Sequence, residues 1–295
     1  RKSFWDIILS ERYFKWTLIV PLLITLAAFM LYPTFYSLYY VFMRFVPLKE
    51  ASVFVGLDNL RFVLHHPHFL GDMANTFAVL VGCLIVELVL GMLIALLFSR
   101  EFRGQNLIRG LCLLPLLMSP LIMSMVWGYL LHYDYGFVNQ ILSKVLLLPK
   151  VSWWSPTMAK VSVILLTSWQ WVPFTVFVLV AGLRSLPKDA FEAARVDGAG
   201  AWYTFRRLTL PMLSPLIVII VMLRSMWLMR LFDPLYGTTR GGAGTESVDY
   251  LLYRTAFSYF DIGQACTIAI IALFLTLIFS FILYRQLMHA LGVIK

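Results

Sequence analysis

The chain has 295 residues, 61% of them hydrophobic and only 13% charged, and its mean hydropathy is +0.83. A water-soluble domain cannot hide that much apolar surface, so an ordinary globular protein is excluded and a bilayer is implied as solvent. The formal charge of +9 does not mark a nucleic-acid binder, because the basic residues sit in short loops between apolar runs rather than in aromatic-interleaved clusters.

A spanning helix needs about 20 mostly apolar residues. In chain order, such runs are Trp16–Met43, Met73–Ser99 (interrupted only by Glu87), Gly110–Tyr133, Val161–Leu183 and Ile262–Tyr284. Between the last two lies an irregular run opening at Leu208, carrying Pro211 and Pro215, then Arg224, Arg230 and Asp233. It is expected to need the stretch to about Tyr236 to cross. The first run is too long for the apolar core of a cleaved leader and is expected to remain as a span. The fold class is therefore all-α, a polytopic membrane protein with six transmembrane helices, read as a single domain over residues 1–295.

Six spans place both termini on one side. That side holds Arg1, Lys2, Arg12, Lys15, Arg285 and Lys295 at the termini, Arg100, Arg103 and Arg109 in one loop, and Arg184, Lys188, Arg195, Arg206 and Arg207 in another. The opposite side holds the smaller set Arg44, Lys49, Arg61, Lys144, Lys150, Lys160, Arg240 and Arg254. The richer side is assigned to the cytoplasm, with an N-terminal cytoplasmic segment of about residues 1–15. Trp5, Trp16, Trp153, Trp154 and Trp202 lie near predicted helix ends, as an interfacial belt requires. Cys83, Cys112 and Cys266 lie inside apolar runs with no CxxC pair, and read as small packing residues.

The cytoplasmic loop of about residues 185–211 carries the most specific signal. Pro187 suits a first helical turn, Lys188–Val196 are helix formers, and Gly198 is placed to close the helix with a left-handed cap. A second short helix is expected from about Ala201 to Arg207 before Pro211 opens the next span. Ala190, Ala193 and Ala194 offer a low-relief surface for a partner's groove.

This loop resembles the signature of permease subunits of bacterial binding-protein-dependent ABC importers. Their pattern is EAA, three residues, G, nine residues, then I-x-L-P; here it reads Glu192-Ala193-Ala194, Gly198, then Leu208-Thr209-Leu210-Pro211. The one departure is Leu208 for Ile. Further stretches resemble the carbohydrate-uptake branch, of the maltose and glycerol-3-phosphate type: Gly56-Leu57-Asp58-Asn59-Leu60, Asn75-Thr76, Phe102-Arg103-Gly104, Ser119-Pro120 and Thr239-Arg240-Gly241-Gly242. The resemblance implies an inner-membrane permease paired with a second permease, two ATPase subunits and an extracytoplasmic solute-binding protein. It also implies that Glu192, Ala193, Ala194, Asp197, Gly198, Leu210 and Pro211 couple the chain to the ATPase. No G-x-x-x-x-G-K-[ST] motif occurs. This chain is accordingly expected to bind no cofactor and to catalyse no reaction, with ATP and Mg held by the partner subunits.

Intramembrane charges mark function or a pairing partner. Glu87 and Arg224 lie at similar depth: one reading pairs them as a structural or gating contact, and the alternatives are hydrogen bonds from each to neighbouring backbone or to a second permease. Arg230 and Asp233 are expected to form a local ion pair. Arg224 and Arg230 sit about 240° apart around an ideal helix, which argues against two arginines gripping one anion. Asn75, Glu87, Trp127, Arg224, Trp227 and Arg230 are the candidate pathway residues, since sugars present both hydroxyls and apolar ring faces. His65-His66-Pro67-His68 lacks a spaced ligand set and reads as an outer loop, as does Arg240–Gly244. A secondary transporter would need inverted repeats and more midplane charges, and an intramembrane enzyme a nucleophile or metal set such as HExxH; neither is visible. An acidic oligosaccharide or phosphorylated polyol is the variant cargo that Arg224 raises.

Overall fold

The fold is taken from a computed structural model, which describes residues 11–45, 47, 52–100 and 102–290. Most of the expected N-terminal cytoplasmic segment, together with Lys49 and Lys295, lies outside these residues. Among the described residues, five helices are long and apolar enough to cross a membrane, and six if one sharply bent pair is counted as a single span. The chain divides into two compact units, one comprising residues up to His66 with Leu252–Ile271, the other Pro67–Leu251 with the residues from Ala272 onward.

In the first unit, α1 (Glu11–Leu26), a π-helical turn (Ala27–Leu31) and α2 (Tyr32–Val41) form one apolar helix whose large side chains, Phe29 and Phe35 among them, are exposed. The wider turn precedes Pro33. Proline offers no N–H to the preceding turn and its ring crowds the carbonyl there, so one looser turn relieves both faults. Strands β1 (Met43–Arg44) and β2 (Val53–Phe54) then pair antiparallel. Asn59, in α3 (Asp58–Leu64), donates to the Val41 and Met43 carbonyls at 2.9 and 2.8 Å and fixes that turn. Asn59, in the stretch quoted above for the resemblance, thus has a local structural job.

The second unit is built on two long helices, α4 (Phe69–Phe98) and α8 (Ala159–Ser185), packed along their length. Gly91 allows this approach: a Cβ there would lie 2.4 Å from Thr175 Cγ2. Small residues let helices approach where lipid supplies no hydrophobic drive between them. One buried cluster joins Val79, Leu80, Cys83, Val163, Leu228, Leu231 and Leu235. A second joins Ala95, Val172, Val176, Leu179, Leu213 and Ile220.

The third expected span, Gly110–Tyr133, is not a single rod. It consists of α5 (Gln105–Leu117) and α6 (Pro120–Leu130), bent by 99°. The residue before a proline is driven to extended backbone, and Ser119 before Pro120 has φ −59° and ψ 130°. Met118 is extended too, at φ −78° and ψ 142°. Its freed carbonyl accepts a bond of 2.8 Å from Nε2 of buried Gln170 on α8. A broken helix survives in a membrane when a neighbour re-satisfies the backbone in this way. Beyond it lie α7 (Phe137–Lys144) and, after α8, the loop helix α9 (Lys188–Val196).

The fifth span also differs from expectation. Its membrane helix, α11 (Leu210–Leu228), stops short of Tyr236 and gains its length upstream instead. The short helix α10 (Ala201–Thr204) runs straight into it through a π-helical turn (Phe205–Thr209), giving 28 continuous residues over Ala201–Leu228. The turn again precedes a proline, here Pro211, and Leu210 N–H reaches back to the Phe205 carbonyl. Two short elements, α12 (Asp233–Tyr236) and α13 (Val248–Phe257), lead to the last span, α14 (Ile262–Ala290).

The α4–α8 contact yields a prediction. Gly91→Val forces a branched side chain into Thr175 and should cost about 1–3 kcal/mol. A lowered melting temperature of the detergent-purified chain checks this; an unchanged value would mean the two helices are not packed as described.

Candidate functional site

Two sets of functional candidates emerge, one in the loop between α8 and α11 and one inside the bundle. In the loop, Gly198 has φ +75°, a conformation costly to any residue with a Cβ. Its N–H bonds the Arg195 carbonyl at 3.1 Å, and Ala199 N–H bonds that of Ala194 at 2.9 Å. These are the paired bonds of a Schellman cap, as the placement of Gly198 predicted. Nothing lies within 4 Å of a Cβ built at Gly198, so backbone conformation alone demands glycine there.

The cap turns the chain back so that α9 and α10 enclose a groove of about 720 Å³. Ala190, Ala193, Ala194, Gly198 and Gly200 form its shallow wall, with Tyr203 and Arg207 opposite. Glu192, Ala193, Asp197 and Gly198 are exposed, as are Val196 and Trp202 at 87% and 72%. Apolar side chains so open on a polar helix form a surface suited to a protein partner. Leu210 is half-buried and Pro211 exposed at the start of the span.

Inside the bundle, Glu87 on α4 and Arg224 on α11 meet, which decides between the open readings in favour of the pair. Arg224 Nε donates to Glu87 Oε2 at 2.6 Å and Nη2 to Oε1 at 2.7 Å, a two-point bond between fully buried groups. The guanidinium also lies over the Trp171 ring, 4.1 Å from its centroid, and Trp171 packs at 5.5 Å on exposed Trp227. The arginine is thereby neutralised on its edge and covered on its face. Trp171 gave no signal in the sequence beyond one more aromatic in an apolar run.

The remaining pathway candidates do not join this group. Trp127 packs on Trp169 at 5.5 Å, and Trp169 and Trp171, two residues apart on α8, point to different faces of the helix. Asn75 donates to the Glu246 carbonyl at 3.2 Å. Arg230 pairs with Asp249, at 3.6 Å, and not with Asp233. The expected local pair assumed one helix through both residues, whereas α11 has ended at Leu228 and Asp233 opens α12. Burial pushes the Asp249 carboxyl above its ordinary range, and Arg230 partly restores it.

Removing one partner of a buried pair leaves an uncompensated charge. Glu87→Ala should destabilise by about 3–5 kcal/mol, while Glu87→Met combined with Arg224→Met recovers most of that loss. Thermal unfolding of both purified variants checks this; a double variant no more stable than the single one would contradict it.

Residues 87–290 match the family model described as a binding-protein-dependent transport system inner membrane component. The chain is 37% identical over 242 residues to a probable ABC transporter permease protein, y4oQ, of Sinorhizobium fredii, covering 80% of this chain and 78% of that one. It is 31% identical over 278 residues to the trehalose/maltose transport system permease protein MalF of Thermococcus litoralis, covering 92% of each. Its fold superposes on a chain of a bacterial alginate ABC transporter crystallised with an alginate pentasaccharide-bound periplasmic protein, with a TM-score of 0.81 at 19% identity over 97% of both chains. The chain belongs to the family of inner-membrane permease components of binding-protein-dependent ABC transporters.

Proposed function

We propose that this chain forms half of the translocation pore of an ATP-driven importer for a sugar, oligosaccharide or polyol delivered by an extracytoplasmic binding protein. The observation that carries the reading is the Schellman-capped helix α9, closed at Gly198 with Glu192, Ala193 and Asp197 exposed beside a groove. The carbohydrate class is supported by the trehalose/maltose permease among the relatives. On this reading the whole chain acts as one permease domain, with both termini and α9 in the cytoplasm, on the side where Lys and Arg are richer.

A second homologous permease completes the pore, and two ATPase subunits hold ATP and Mg. Helix α9 fits the cleft of one of these subunits, with Glu192 facing an arginine there. The continuous helix Ala201–Leu228 supports rigid coupling, because displacement passed on through the short capped turn after α9 enters the bundle without a further break. Closure of the ATPase pair would then rotate the spans and alternate access to the pore. The acidic-cargo variant loses its main support, since Arg224 already has its counter-charge in Glu87.

Gly198→Val places a β-branched residue at φ +75°, and Gly198→Asn one that tolerates that conformation. In the reconstituted complex, the valine variant should lose binding-protein-stimulated ATPase activity by about tenfold, and the asparagine variant much less. Membrane insertion and basal ATPase activity should be retained in both. Full stimulation in the valine variant would refute the coupling role of α9.

A further inference from the structure

A cavity of about 900 Å³ lies between α9 and the ends of α4, α5 and α8. Four cations line it: Arg109 on α5, Arg184 in the last turn of α8, and Lys188 and Arg195 on α9. Glu192 is its one lining carboxylate. None of the four lies within ion-pair distance of a carboxylate among the described residues. Unlike Arg224, these cations are not matched one to one: four positive groups share the single lining carboxylate of Glu192.

Arg109 is held in place by a bond from Nη2 to the Phe98 carbonyl and by the Phe98 ring, 5.9 Å below its guanidinium. Its Nε is shielded from solvent and has no acceptor. A fixed guanidinium with a spare donor, facing three more cations, is a receptor for an oxyanion with several acceptor oxygens. The cavity is also amphipathic. Leu96, Leu183 and Leu186 form the wall nearest the spans, while Ser99 and Asn106 add polar groups at its mouth.

We propose that this cavity is a binding site for the phosphate of an anionic phospholipid headgroup, bridging α9 to the ends of the spans. The location favours lipid over a free ion. The cavity sits where α4 and α8 end and α5 begins, an end of the spans that the orientation proposed above places at the cytoplasmic headgroups, and basic pockets between spans on that side are suited to such lipids. Bound there, the phosphate would join Lys188 and Arg195 of α9 to Arg109 and Arg184 of the bundle. The inference concerns binding alone and stands independently of the cargo and of the coupling role.

The test is lipid retention by the purified transporter complex carrying the full chain. The complex is exchanged into phosphatidylcholine nanodiscs with or without phosphatidylglycerol, and the lipid that survives delipidation is counted by native mass spectrometry. The expected result is selective retention of phosphatidylglycerol, falling about fivefold for each of Arg109→Gln and Arg184→Gln. Asn106→Asp, at an exposed position, removes no packing and should also weaken retention, which keeps the test decisive if either arginine variant fails to fold. Equal retention in wild type and variants overturns the proposal. A site that saturates with inorganic phosphate in pure phosphatidylcholine, and shows no preference for phosphatidylglycerol, overturns the lipid assignment.

Discussion

Glu87 and Arg224 meet at two points, 2.6 and 2.7 Å apart, with neither side chain reaching solvent. An isolated charge in this medium would cost several kcal/mol, so each residue dictates the position of the other. That single requirement sets the rotation of α4 against α11, the two helices that carry the pair. Along both helices it falls between the two buried apolar clusters, which pack above and below it in sequence. Trp171 closes the remaining face of the guanidinium, bringing α8 into the same constraint. An importer must rearrange its spans while keeping such a charge satisfied, which favours moving these three helices together.

The same accounting governs the breaks in the helices. Pro120 forces an extended segment at Met118–Ser119, and Gln170 supplies the donor that the broken ladder lacks. Pro33 and Pro211 are absorbed differently, each by a π-helical turn just upstream that keeps the helix running. The contrast has a mechanical meaning. At Pro120 the chain changes direction by 99°, whereas at Pro211 the short helix α10 and the span remain one body. The second arrangement suits a segment that transmits displacement along its own axis.

The loop between α8 and α11 combines three features within a short stretch of chain: a capped helix with exposed Val196, a shallow alanine-lined groove, and a basic cavity on the side toward the bundle. The first two suit a protein partner and the third an anion. On the functions proposed for them, α9 would have two kinds of contact, one with the ATPase and one with the membrane surface, and both would bear on how firmly the helix is held.

What could be read from sequence was what depends on neighbours in the chain. Gly198 as a left-handed cap was legible because the bonds that require it span only a few residues. The spans were legible because length and apolarity are local sums. The pairing of Glu87 with Arg224 was inferable from the cost of leaving either alone, although the residues are 137 apart. Its two-point geometry and the Trp171 cover were not, since they depend on how α4, α8 and α11 rotate against one another. Arg230 illustrates the limit from the other side: proximity in sequence suggested Asp233, but α11 ends at Leu228 and the folded chain brings Asp249 within reach instead. The sequence by itself determined a membrane-spanning helical chain with a capped helical loop before the fifth span. Only tertiary packing decided which buried charges meet, which neighbour satisfies the broken span, and which cations share one cavity, because each of those depends on helices far apart in the chain.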